Sequence, residues 1–181
     1  MKSLKYFLVG MPASGKSTLG RMLAAQLGTT FIDLDKEIVK EEGLEITEIF
    51  SSKGEKYFRE LERRCLAGLL NRNEGYVLAT GGGAPCFFDN MEQMNNHGTT
   101  IFINVPVEDL HNKLKKKGTQ KRPLLKDVQR DDLYTALQNK FLERKKYYDQ
   151  SKICVDQDLG EVVNRLNQII FAIKRLEEKS N

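Results

Sequence analysis

Short apolar runs recur along the chain, separated by longer stretches in which apolar and polar residues follow helical spacing. Five runs have the length of buried β-strands, and they span residues 6–9, 30–35, 76–80, 100–105 and 152–156. After the first run, Leu19, Met22, Leu23 and Leu27 recur at intervals of three and four, which predicts a helix that ends at Gly28. Further helices are predicted over residues 36–42, 56–70, 107–117, 130–150 and 159–179. Strands that alternate with helices indicate an α/β fold whose parallel sheet is covered on both faces.

The segment between the first strand and the first helix, LVGMPASGKSTLG, matches the phosphate-loop pattern G-x-x-x-x-G-K-[ST]. Its position after a strand and before a helix is the context that this pattern requires. Lys16 is predicted to reach the β- and γ-phosphates of a nucleotide, and the Ser17 hydroxyl to coordinate Mg²⁺. The predicted ATP-binding residues here are Ala13, Ser14, Gly15, Lys16, Ser17 and Thr18. The motif predicts that a phosphate group is bound, but it does not identify the reaction that the phosphate undergoes.

Two further groups of residues follow strands and should meet the phosphate loop, because ligands of parallel sheets bind beyond the carboxyl ends of the strands. Asp33 and Asp35 end the second strand, and Gly81, Gly82 and Gly83 follow the third. Two residues apart on an extended strand, the carboxylates share a face. They can share Mg²⁺, or one can accept a proton from a substrate hydroxyl; the alternative is that Asp35 caps the next helix. The glycines favour close approach to a ligand over a simple sharp turn.

Several arginines are candidate anion ligands. Arg59 and Glu62 lie three residues apart on one helical face, which fits either an oriented substrate-binding arginine or a surface ion pair. Arg144 on a later helix is a second candidate. The basic segment KKKGTQKRPLL, which contains Arg122 and is interrupted by Pro123, suits a lid that closes on the phosphates, or an inert loop.

Composition narrows these possibilities only slightly. The 181 residues fit one domain, and no apolar run approaches the length of roughly 20 residues that a membrane span needs. The net charge of +4 suits anionic ligands. The lysine-rich run at residues 113–122 has no interleaved aromatic residues, so a nucleic acid is not an expected partner. The three cysteines lack C-x-x-C spacing and are predicted to be free thiols in a reducing compartment.

Taken together, these motifs resemble the shikimate kinase family of P-loop enzymes. The resemblance rests on GMPASGKSTLGRMLA, FIDLDKEI, ITEIFSSKGEKYFRELE, VLATGGG, RPLL and LERKKYY, which occur in the order and approximate spacing of the family. It implies a three-layer α/β/α P-loop kinase fold with a five-stranded parallel sheet, as a single domain over residues 1–181. Within it, residues 36–63 would form the substrate-binding region and residues 115–127 the lid. The implied activity is transfer of the γ-phosphoryl group of ATP to the 3-hydroxyl of shikimate.

The resemblance also implies catalytic roles for individual residues. Lys16 matches the phosphate-binding lysine, and Ser17 matches a ligand of the one Mg²⁺ ion per subunit. Asp33 matches the acidic residue near the metal, whereas Asp35 matches the one that contacts shikimate hydroxyls and can act as the base. Arg122 matches the lid arginine that closes on ATP.

Substrate-binding roles follow in the same way. Arg59 and Arg144 match the pair that holds the shikimate carboxylate, and Gly82 matches the middle of the substrate-contacting turn. Gln157 is the predicted adenine contact. The spacing after Arg144 departs from the family pattern, so Lys145 or Lys146 can share its role.

Leu34, between the two aspartates, is larger than is usual in the family and is expected on the buried face. The alternatives are a related small-molecule kinase, such as gluconate kinase or a nucleotide kinase, and a non-catalytic nucleotide-binding regulatory module. Retention of Asp35 and the lid arginine argues against the regulatory module. A cytoplasmic monomer is expected, with shikimate and ATP as its small-molecule partners and no membrane association.

Overall fold

The computed structural model describes residues 4–117, 132–156 and 162–178. Five strands lie in the described part: β1 (Lys5–Val9), β2 (Thr30–Asp33), β3 (Tyr76–Ala79), β4 (Thr99–Asn104) and β5 (Ile153–Asp156). The helices are α1 (Lys16–Leu27), α2 (Leu34–Glu42), α3 (Ile46–Leu70), α4 (Asn90–His97), α5 (Val107–Lys117), α6 (Leu133–Tyr148) and α7 (Val162–Glu178). A short 3₁₀ helix, Ala84–Cys86, follows β3.

The strands form one parallel sheet in the order β2-β3-β1-β4-β5. Because β3 lies between β1 and β2, the carboxyl ends of the three strands lie side by side. Ala79 of β3 is paired with Leu8 of β1 on one side and with Asp33 of β2 on the other. All four residues of β3 are buried, as expected for a strand covered on both faces. The predicted α/β fold with a five-stranded parallel sheet is confirmed.

Two chain segments differ from the sequence prediction at the second strand. β2 ends at Asp33, and α2 begins at Leu34, so Asp35 lies in the first turn of a helix and not on an extended strand. The alternative in which Asp35 caps this helix is therefore wrong, because Asp33 occupies the N-cap position. Leu34 is fully buried, as expected, and its burial fixes the start of the helix against the core.

The helical content was underestimated in two places. α3 begins at Ile46, ten residues before the predicted start, and Glu48 accepts a hydrogen bond from the Glu45 N–H at 2.8 Å in a capping box. Gly54 interrupts its helical geometry with φ 81°, a conformation that favours glycine. The short helix α4 was not predicted, because Met91 and Met94 are the only apolar residues in its sequence, NMEQMNNH.

Three other sequence predictions concern the lid, the cysteines and membrane spans. Most of the predicted lid, including Arg122, lies outside the described residues, as does Gln157. Cys65, Cys86 and Cys154 are free, as predicted. Within the described ranges, no helix is long and apolar enough to cross a bilayer.

Candidate active site

The phosphate loop connects β1 to α1 and depends on unusual backbone angles. Gly10 has φ 137°, and a Cβ atom there would lie 2.8 Å from the carbonyl oxygen of Ile103. Gly15, the N-cap residue of α1, has φ 98°, and Ala13 also has a positive φ of 66°. Backbone of this kind turns successive N–H groups toward one point, where the positive end of a helix adds to the attraction for anions.

Lys16 lies inside this loop and is 8% exposed. Its Nζ donates hydrogen bonds to the carbonyl oxygens of Gly10 at 2.9 Å and Met11 at 2.8 Å. Ser14, also buried, has its Oγ 3.5 Å from the same nitrogen. The loop therefore holds the ammonium group at its own centre, whereas Thr18 is exposed in the first turn of α1.

Ser17 and Asp33 connect the start of α1 to the end of β2. The Ser17 hydroxyl donates a hydrogen bond to Asp33 Oδ2 at 2.9 Å. A hydroxyl and a carboxylate are both hard oxygen ligands, and Mg²⁺ in phosphate sites commonly takes one or two protein oxygens and completes its shell with water and phosphate. The pair therefore fits Mg²⁺ by its chemistry.

The three consecutive glycines, which follow β3, touch three different parts of the site. A Cβ atom on Gly81 would lie 2.9 Å from Asp35 Oδ1 and 3.1 Å from Glu62 Oε1. On Gly82 it would lie 2.7 Å from Pro12 Cδ in the phosphate loop. On Gly83 it would lie 2.7 Å from Arg59 Nη2. A side chain at any of these three positions would force a neighbouring group to move, and at Gly82 that group is the rigid Pro12 ring. These close approaches confirm the expected convergence of the phosphate loop, the acidic residues and the glycine turn.

Arg59 is buried by α3 and by the residues after the glycine turn, with 5% of its surface exposed. Its Nη1 donates to Glu62 Oε2 at 2.8 Å, and its Nη2 donates to Glu55 Oε1 at 3.0 Å. The Phe87 ring lies 4.2 Å from the guanidinium carbon, within the range of a cation–π contact. The alternative of a surface ion pair is therefore wrong, because both Arg59 and Glu62 are buried.

Glu62 is the most deeply buried carboxylate of the site, with 1% of its surface exposed. Only one of its oxygens bonds to Arg59; Oε1 has no hydrogen-bond partner among the described residues. Burial raises the pKa of Glu62 to about 7, with a smaller contribution from the Asp35 charge, while Arg59 and Arg144 act in the opposite direction. Glu62 therefore gains or loses a proton close to neutral pH.

Arg144 lines a neighbouring pocket of about 400 Å³ together with Glu55, Phe87 and Lys146. Arg144 is 9% exposed as a residue, and it forms no ion pair within the described ranges. Because Glu55 and Phe87 also contact Arg59, the two arginines border the same space. Both following lysines are exposed, but Lys146 lines this pocket, whereas Lys145 donates a hydrogen bond to Asp149 at 2.6 Å.

Three contacts were missed in the sequence. The Tyr148 hydroxyl donates to the Gly82 carbonyl at 2.5 Å, Phe87 covers Arg59, and Pro12 packs on Gly82. Tyr148 lies one helical turn after Arg144, so the i, i+4 spacing was the available signal. The other two contacts join segments distant in sequence and carry no local pattern.

The described structure thus brings together the predicted ATP-binding residues 13–18 with Asp33, Asp35, Arg59, Gly82 and Arg144. Comparison with known proteins agrees with this arrangement. The family model described as shikimate kinase matches residues 12–174. A shikimate kinase of Persephonella marina is 39% identical over 168 residues, which cover 93% of this chain and 98% of the relative.

Solved structures give the same result. A shikimate kinase from Acinetobacter baumannii in complex with shikimate superposes with a TM-score of 0.87 at 30% identity, covering 96% of this chain and 94% of that one. A gluconokinase from Sinorhizobium meliloti has a TM-score of 0.59 at 15% identity, covering 98% of this chain and 95% of that one. The second likeness shows the common fold alone.

Proposed function

We propose that this chain, which belongs to the shikimate kinase family, transfers the γ-phosphoryl group of ATP to the 3-hydroxyl of shikimate at the site described above. The chain is an ATP-dependent enzyme that phosphorylates shikimate. The products are shikimate 3-phosphate and ADP, in the pathway to chorismate and the aromatic amino acids.

On the donor side, backbone N–H groups of residues 13–18 hold the phosphates of ATP, and Lys16 neutralises charge on the β- and γ-phosphates. Ser17 and Asp33 would hold Mg²⁺, which when bound would supply positive charge beside the transferring phosphate. Lys16 now donates to two loop carbonyls, so on binding ATP it exchanges these bonds for phosphate oxygens without leaving the loop.

On the acceptor side, Arg59 and Arg144 bind the carboxylate of shikimate. The fork of a guanidinium matches a carboxylate in geometry, and both arginines are shielded from water, which strengthens the attraction. Asp35 binds the hydroxyl groups of shikimate. It accepts the proton of the 3-hydroxyl while the oxygen of that hydroxyl forms a bond to the γ-phosphorus. The bond to the β-phosphate oxygen breaks, and ADP leaves.

The observation that carries this proposal is the position of the glycine turn. Gly82 packs on Pro12 of the phosphate loop, while its neighbours contact Asp35 and Arg59. The residues proposed for the donor and for the acceptor are therefore held in contact by one three-residue segment. Proximity of this kind is the main contribution a kinase makes to phosphoryl transfer.

The proposal includes several further assignments. Arg122 closes on the phosphates from the lid, and Gln157 contacts adenine; both lie outside the described residues. The enzyme acts as a monomer in the cytoplasm with one Mg²⁺ ion per subunit. Lys146, which lines the Arg144 pocket, is the better placed of the two lysines to assist that arginine.

The test is a coupled assay of ADP release in which shikimate, gluconate and AMP are offered separately at equal concentration. We expect ADP release when shikimate is the acceptor and none when gluconate or AMP is offered. Phosphorus NMR of the product should place the phosphate on the 3-hydroxyl oxygen. Release that responds to gluconate or AMP and ignores shikimate would refute the proposal. Titration of Mg²⁺ in the same assay, with EDTA as the control, tests the metal requirement.

A further inference from the structure

A fourth buried cation lies beside the phosphate loop, on a segment far away in sequence. Arg165 belongs to α7, which packs against α1. Its Nη1 lies 4.0 Å from the position that a Cβ atom would take on Gly15, the last residue before Lys16. Arg165 is 7% exposed, so its guanidinium is shielded from solvent at the edge of the nucleotide site.

The surroundings of Arg165 do not compensate its charge. Its Nε has no hydrogen-bond partner, and it forms no ion pair with any residue in the described ranges. Arg59, which is equally buried, has two carboxylates. Burying a charge without a partner lowers the stability of the fold. An unpaired buried arginine beside a phosphate loop is therefore well placed to bind an anionic group of the ligand.

We propose that Arg165 binds the α- or β-phosphate of the nucleotide and so is a further nucleotide-positioning residue of this kinase. This rests on the proposed function, since ATP must occupy the loop. Phosphate-loop backbone cradles the α- and β-phosphates, whereas the loop lysine reaches the β- and γ-phosphates. Arg165 approaches the loop at Gly15, on its backbone, while Lys16 points inward to Gly10 and Met11.

The decisive variant is Arg165→Met, which keeps most of the apolar length of the side chain and removes the charge. Binding of ADP and of ATP is measured by calorimetry without shikimate, so the result does not depend on the acceptor. We expect both affinities to fall by the same factor, about 10- to 100-fold, as for the loss of a charge-assisted hydrogen bond. KM for shikimate at saturating ATP should change less than threefold. Arg165→Lys should recover part of the ADP affinity.

Two controls separate phosphate binding from other roles. Arg175→Met changes an exposed arginine on the same helix and should leave ADP affinity unchanged. Pyrophosphate, tested as a competitor of ATP, should also bind more weakly to the Arg165→Met variant. If pyrophosphate is unaffected while ADP is weakened, the contact is to the nucleoside, and the proposal is wrong.

A purely structural role gives a different pattern. If Arg165 pairs with a carboxylate outside the described residues, Arg165→Met should unfold or lose several degrees of Tm without nucleotide, which overturns the proposal. The proposed role predicts an unchanged or higher Tm without nucleotide and a smaller rise on adding ADP. Wild-type protein that binds ADP but ignores shikimate would refute the acceptor assignment and leave the Arg165 measurements unaffected.

Discussion

Replacing Glu62 with glutamine should make the fold more stable above neutral pH, although it removes half of a buried ion pair. The folded-state pKa of Glu62 is raised from 4.5 to about 7, mainly by burial. The unfolded chain therefore releases this proton near pH 4.5, while the folded protein retains it until about pH 7. Between these values the folded state binds more protons, so rising pH lowers the free energy of unfolding.

The size of the effect follows from the difference between the two pKa values. Each pKa unit corresponds to about 1.4 kcal/mol, and the difference from 4.5 to about 7 gives a loss of about 3 kcal/mol across this range. Glutamine is close in shape to the protonated acid and does not titrate. The Glu62→Gln variant should therefore match the wild type near pH 4.5 and exceed its stability by up to about 3 kcal/mol at pH 8.

The measurement is urea unfolding of both proteins at fixed ionic strength between pH 5 and pH 8.5. The difference between the two free energies of unfolding isolates Glu62, since the other groups titrate in both proteins. Glu55→Gln, which removes the exposed carboxylate from the same arginine, shows whether the effect comes from burial or from any carboxylate beside Arg59. A Glu62→Gln variant less stable than wild type at pH 8 would refute the reasoning, because the attraction of Arg59 would then exceed the cost of burial.

Three further predictions concern the site. Arg59→Ala should raise the Kd of shikimate about 10-fold or more while leaving the Kd of ATP largely intact. Arg59→Lys, which keeps the charge, controls for destabilisation, and an equal loss of affinity for both ligands would contradict the carboxylate role. Asp35→Asn should lower kcat by about 10² or more in the coupled assay, and a change confined to KM would make Asp35 a binding residue only. Gly82→Ala should lower the free energy of unfolding by about 1–3 kcal/mol in urea, because the new Cβ would meet the Pro12 ring. Normal stability and normal kcat in Gly82→Ala would show that this contact yields easily.

The location of the site was predictable because two regularities suffice for it. The strand–loop–helix context identified the phosphate loop, and the rule on the carboxyl ends of parallel strands placed Asp33 and the glycine turn beside it. Neither step required knowledge of which strands are neighbours. The order β2-β3-β1, in which the third strand separates the first two, carries no signal in a single sequence.

The internal geometry of the site was not predictable in the same way. Alternation along an extended strand gave the wrong backbone for Asp35, because burial of Leu34 begins a helix immediately after Asp33. A run of three glycines indicates close approach, but not to which groups. Those are Pro12 of the phosphate loop, Asp35 of α2, and Arg59 and Glu62 of α3, and such contacts depend on tertiary packing.

The buried arginines of the site differ in how far the protein itself compensates their charge, and this difference fits the roles proposed for them. Arg59 is paired with two carboxylates, so it is held in place before any ligand binds, and the protonation of Glu62 sets how much of its charge remains for a substrate. Arg144 and Arg165 form no ion pair in the part of the chain that the structure describes, although the Arg144 charge lowers the pKa of Glu62. A fold that buries unpaired cations loses stability, and anionic ligands restore it. The two substrates are therefore expected to complete the electrostatics of the fold as well as to react within it.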